Sequence, residues 1–148
     1  MKILFLASWV MLLVISVLIA LASAASLMQG YSKTDEHLTS DYSTVQMKEQ
    51  GGEEAFKAFK ARRVTAATWA LGYALLAIMV TLVPYRRGEQ WAWWALLVAI
   101  GISQILSMAR AVTVMTTAGA GTAGVLLAFM LLGLMAGAPR MFGNKETL

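Results

Sequence analysis

The sequence predicts an all-α integral membrane protein: a four-helix bundle with a longer polar loop between its first and second helices. Three observations lead there. Hydrophobic residues make up 59% of the chain and charged residues only 14%, where soluble domains carry about 25% charge. The charges also cluster, leaving uncharged intervals of 30, 22, 20 and 29 residues from Ile3 to Ser32, Val64 to Tyr85, Gln90 to Ala109 and Ala111 to Pro139. A helix needs about 20 apolar residues to cross the hydrocarbon core, and backbone groups that lipid cannot solvate leave helices as the simplest solution. Residues 1–148 therefore read as one membrane domain, with helices at about 3–28, 53–83, 90–116 and 120–138 and a polar loop at 29–52.

The first helix begins just after Lys2 and supplies Ser16, Ala20, Ser23 and Ala24 as small residues for close packing. Its ending, Ala22-Ser23-Ala24, also fits a signal-peptidase site, but the apolar run from Ile3 to Leu21 exceeds the 7–15 residues of a signal core, which favours a retained helix. In the loop, Tyr31 and Tyr42 suit the headgroup region, and Asp41 is placed to start a short surface helix that Gly51-Gly52 would stop. His37 with Asp35, Glu36 and Asp41 forms a weak candidate metal cluster, for which a solvated loop is the better reading.

The second helix starts at "EEAFKAFKARR", with acidic residues in its first turn and Glu53 four before Lys57. At 1.5 Å per residue it outruns the hydrocarbon core by about 15 Å, so its charged start projects beyond the core. Pro84 is expected to end it. The turn "YRRGEQWAWW" then reads as a membrane-interface anchor: Arg86 and Arg87 for lipid phosphates, Gly88 for the turn, and Trp91, Trp93 and Trp94 for the aromatic belt.

On the third helix Ser103, Ser107, Arg110, Thr113 and Thr117 share a stripe about 120° wide, bordered by Gln104. Such a stripe is expected to face other helices, where Thr65, Thr68 and Gly72 of the second helix share a receiving face bordered by Tyr73. Arg110, Ser107, Ser103, Gln104 and Thr113 are thus the candidate ligand-binding set, with snorkelling of Arg110 to the headgroups as the competing reading. "TTAGAGTAG" (116–124) reads as a turn or as a small-residue helix face of Ala120, Gly124 and Ala128, and the fourth helix is expected to end at Pro139. Gly133 and Gly137 form a GxxxG, so Gly72, Gly124, Gly133 and Gly137 are the candidate packing glycines.

The uncharged intervals hold no carboxylate, which disfavours proton-coupled transport. With no Cys and a single His outside the intervals, thiolate metal sites and bis-histidine haem are excluded; no Ser-His-Asp set or P-loop is present either. The net charge of +4 is scattered along helix ends, which points to lipid headgroups and away from nucleic acid.

The turn "RRGEQWAWW" followed by "MARAVTVMTTAGAG" resembles small bacterial four-helix membrane proteins of unknown function, loosely of the DoxX type, over residues 55–138. The resemblance implies a bacterial plasma-membrane setting and carries no catalytic residue across. The long loop and the missing membrane carboxylates depart from a redox or transport relative.

The expectation for function is a non-catalytic accessory or assembly subunit, without cofactor or metal, whose partners are membrane lipids and other membrane subunits or further copies of itself. The alternative is a binder or carrier of a quinone or lipid in the seam around Arg110. An enzyme is not expected. For orientation, five basic residues (Lys2, Arg86, Arg87, Arg140, Lys145) share the side of the termini against seven opposite. The short turn holding Arg86 and Arg87 decides for cytoplasmic termini nonetheless.

Overall fold

The computed structural model describes residues 2–31, 37–39, 42–113 and 120–143, with side chains at all of these except 2, 37–39, 42–47, 110–113 and 120. The protein is all-α, and four of its helices are long and apolar enough to cross a membrane. Helix α1 spans Lys2–Tyr31, α2 Thr44–Val80, α3 Gln90–Thr113 and α4 Ala120–Phe142. Two short strands precede α2: β1 (His37–Thr39) pairs antiparallel with β2 (Tyr42–Ser43).

Several boundaries differ from the sequence expectation. Helix α1 continues three residues past Met28, and α2 begins inside the expected loop, at Thr44. Gly52 nevertheless interrupts α2 with a non-helical backbone (φ 76°, ψ 170°). Positive φ is a conformation only glycine adopts freely, so a short helix from Thr44 stops where Gly51-Gly52 suggested. Beside the break, Lys48 and Glu53 form an ion pair at 3.0 Å.

Neither proline ends its helix. After Val80 the chain widens into a π-helical turn, Thr81–Tyr85, with Pro84 inside it. A proline ring clashes with the carbonyl four residues back, and the wider π-turn relieves that clash without breaking the helix. Pro139 likewise lies inside α4, and Gly143 N–H bonds to its carbonyl at 2.9 Å, closing one further turn. Interior prolines are tolerated in membrane helices because neighbouring groups re-satisfy the backbone. The turn between α2 and α3 is made by Gly88 at φ 80°, with Gly88 N–H on the Tyr85 carbonyl and Glu89 N–H on the Pro84 carbonyl.

The residues group into two compact units, Met1–Val17 with Leu75–Leu148, and Leu18–Ala74. In the first, the start of α1, the end of α2 with its π-turn, α3 and α4 pack as four helices around Leu12, Tyr85, Leu96, Ile100, Met130 and Leu134, all essentially without exposure. In the second, α1 meets α2 where Gly30 is buried against Val64; a Cβ on Gly30 would lie 2.6 Å from Val64 Cγ2. There Arg63 donates to Gln29 Oε1 (2.5 Å) and to Ser26 Oγ (3.5 Å).

Candidate functional site

The densest polar arrangement in the first unit is built around Tyr85. The π-turn directs this residue inward, and its side chain is completely buried. Its hydroxyl meets Ser8 Oγ at 2.5 Å, and Ser8 Oγ donates to the Gly133 carbonyl at 2.6 Å. A serine has one hydroxyl proton; since it goes to Gly133, Tyr85 is the donor to Ser8. Gly137, one turn beyond Gly133, makes room for the pair: a Cβ there would collide with the Tyr85 hydroxyl and stand 2.6 Å from Ser8 Oγ.

Around this knot, side chains bond to the backbone of the two proline-containing helices. Trp9 Nε1 donates to the carbonyl of Thr81, the first residue of the π-turn, at 3.0 Å. Thr81 Oγ1 turns back to the Ala77 carbonyl at 2.8 Å. Further back in α4, Gly133 takes the Ser8 hydroxyl and Leu134 takes the Trp93 indole at 2.8 Å. Near the end of α4, Gln90 Nε2 donates to the Met141 carbonyl at 2.9 Å; that carbonyl is one of the last four, which have no partner inside the helix.

Aromatic and cationic groups cover the knot. Phe5 stacks on Tyr85 with centroids 5.7 Å apart and planes 6° from parallel. The Arg140 guanidinium lies 3.9 Å from the Phe5 ring centre, and that of Arg86 lies 5.3 Å from the Trp9 ring. Trp93 packs edge-on against Trp94 and Phe142. Chemically, the arrangement offers hydrogen bonds and cations, while Ser8 has a phenol and a carbonyl as neighbours where a nucleophile would need a base.

No family model, curated protein or solved structure matches this chain.

Of the sequence-derived seam, the side chains of Ser103, Gln104 and Ser107 are described. The inward line of α3 runs Ala92, Leu96, Ile100 and Gln104, each four residues on, and Gln104 is only 9% exposed. A four-residue ridge places Ser103 and Ser107 on the flank: Ser103 bonds back to the Ile100 carbonyl at 2.9 Å, and Ser107 is exposed. The stripe does not face other helices at Ser107; its border residue does. The side chains of Arg110 and Thr113, and those of His37 and Asp41, lie outside the described residues.

On α2, Thr65 and Thr68 are exposed, and their hydroxyls return to the Ala61 and Val64 carbonyls of their own helix. A Cβ on Gly72 would meet nothing within 4 Å. At the other three candidate glycines a Cβ would meet a neighbour: 3.6 Å from Met108 Cε at Gly124, 3.3 Å from Leu12 Cγ at Gly133, and against the knot at Gly137.

Among the turn residues, Trp91 and Trp94 are each 54% exposed and Arg86 and Arg87 are exposed, whereas Trp93 is half-buried on α4. Ser8, Trp9, Phe5 and Tyr85 were not singled out by the sequence, and Arg140 only as a charge at a helix end. The available signals were the GxxxG, which marks a place where something approaches closely, and a proline one residue before a tyrosine.

Proposed function

We propose that this integral membrane protein is a small non-catalytic accessory or assembly subunit that packs against a larger complex. One contrast carries the reading. The buried hydroxyls of Ser8, Ser16, Ser23, Thr81 and Tyr85 all make structural hydrogen bonds, while the face of α2 formed by Thr65, Thr68, Trp69 and Gly72 lies open, with Trp69 76% exposed. Small residues let a second helix approach closely, which is how membrane helices associate in the absence of a hydrophobic driving force. The setting that goes with this reading is a bacterial plasma membrane with both termini cytoplasmic, supported by Arg86 and Arg87 in a short turn.

Photo-crosslinking tests it. A photoreactive residue at Thr68 or Gly72, in native membranes, should give one discrete protein adduct, and the same residue at exposed Val98 on α3 should give none. Adducts with lipid alone from all three positions would contradict the proposal.

The second reading, a carrier of a quinone or lipid, is favoured by the burial of the Gln104 amide. It predicts a bound lipid-like species by native mass spectrometry that an Arg110→Leu variant loses.

A further inference from the structure

Phe5 and Trp9 stand four residues apart on α1 and so share a face one turn apart. Each carries an arginine: Arg140 from α4 over Phe5, and Arg86 from the end of the π-turn over Trp9. The rings hold one side of each guanidinium by a cation–π contact and leave the edges, with their N–H donors, available. Both arginines are exposed. The one acid in the adjoining turn, Glu89, accepts the Trp91 indole N–H at 2.6 Å.

Beside Arg140 a shallow groove is lined by Leu4, Phe5, Ala136 and Pro139, with Arg140 itself at its edge. A small apolar hollow lined in part by a cation has the chemistry of a lipid contact: a few methylenes of an acyl chain against the hollow, the anionic headgroup at the charge. Arginine suits phosphate because its planar fork donates two parallel hydrogen bonds.

We propose that Arg140 and Arg86 form a discrete site for an anionic phospholipid, with the headgroup phosphate held between the guanidiniums and one acyl chain in the Leu4–Ala136–Pro139 groove. The site differs from the Arg110 seam and from the open face of α2, and it stands whether or not a protein partner is found there. It differs also from the general attraction of basic residues to a charged surface, because the two arginines are positioned by rings and adjoin an apolar groove.

The test is native mass spectrometry of the full chain titrated in detergent with phosphatidylglycerol and, separately, with phosphatidylcholine. Phosphatidylglycerol should bind more tightly. The double variant Arg86→Gln/Arg140→Gln should weaken it at least about tenfold, roughly what one lost charge-assisted hydrogen bond is worth. Lys57→Gln/Arg62→Gln, which removes the same charge elsewhere, should leave binding unchanged. Arg86→Lys/Arg140→Lys guards against misfolding by keeping the charge while removing the forked donors, and should give an intermediate loss. Ala136→Phe, which fills the groove at constant charge, should also weaken the lipid, and millimolar inorganic phosphate should not displace it. Equal affinity for both lipids, equal loss from the Lys57/Arg62 control, or unchanged binding in the Arg86/Arg140 glutamine variant or in Ala136→Phe would overturn the proposal.

Discussion

At the scale of single residues, two glycines with the same sequence appearance have opposite roles. Gly137 sits where the Ser8 and Tyr85 hydroxyls meet, and Gly72 faces open space. Gly137→Ala should therefore cost about 1–3 kcal/mol, the usual penalty for forcing a methyl into a packed site, and Gly72→Ala should change stability by less than about 0.5 kcal/mol, as for a surface substitution. Thermal unfolding in a mild detergent measures both; a similar drop for the two would mean the knot does not depend on Gly137. The sequence shows each as a glycine in an apolar run. What distinguishes them is the approach of Tyr85 and Ser8, groups 77 residues apart in the chain, which no local pattern encodes.

At the scale of elements, the lesson comes from the prolines. Pro84 and Pro139 look like terminators because in water a lost hydrogen bond and a steric clash disfavour continuing the helix, by about 3 kcal/mol. Here the helices continue, and donors from neighbouring helices bond to carbonyls near each proline: Trp9 to Thr81, Ser8 to Gly133 and Trp93 to Leu134. Such bonds depend on tertiary neighbours, so local rules miss them. Gln90 plays a comparable part by capping the Met141 carbonyl. A Gln90→Ala variant should loosen the end of α4 by about 1 kcal/mol, seen as roughly fivefold faster amide hydrogen exchange at residues 140–143, with residues 123–134 unaffected. Uniform acceleration across α4 would place the cap's role elsewhere. By contrast, the break at Gly52 and the turn at Gly88 were legible, since both rest on a backbone conformation that one residue type adopts freely.

At the scale of the whole molecule, the all-α membrane fold was legible because it follows from composition and the placement of charge, which need no tertiary information. The four uncharged intervals correspond to the four helices apolar enough to span. The candidate site was less legible. The expected seam at Ser103 and Ser107 sits on the flank of α3, where the buried line runs through Gln104. A sequence stripe gives relative angle around a helix and leaves open which angle points inward. The polar centre of the first unit instead joins α1, the π-turn and α4, through residues that singly look unremarkable: a serine, a tyrosine and two glycines.

The central claim, four crossings with the Gly88 turn on the same side as both chain ends, can be tested directly because the chain contains no cysteine. Single cysteines at Gln50, Gly88 and Gly143, and at the exposed apolar positions Leu18, Leu75, Val98 and Leu131, would be probed in sealed vesicles with a membrane-impermeant maleimide. The account predicts that Gly88 and Gly143 label from one side, that Gln50 labels from the other, and that the four apolar positions stay unlabelled until detergent is added. Labelling of Gln50 and Gly88 from the same side, or of any of the four apolar positions in intact vesicles, would contradict it.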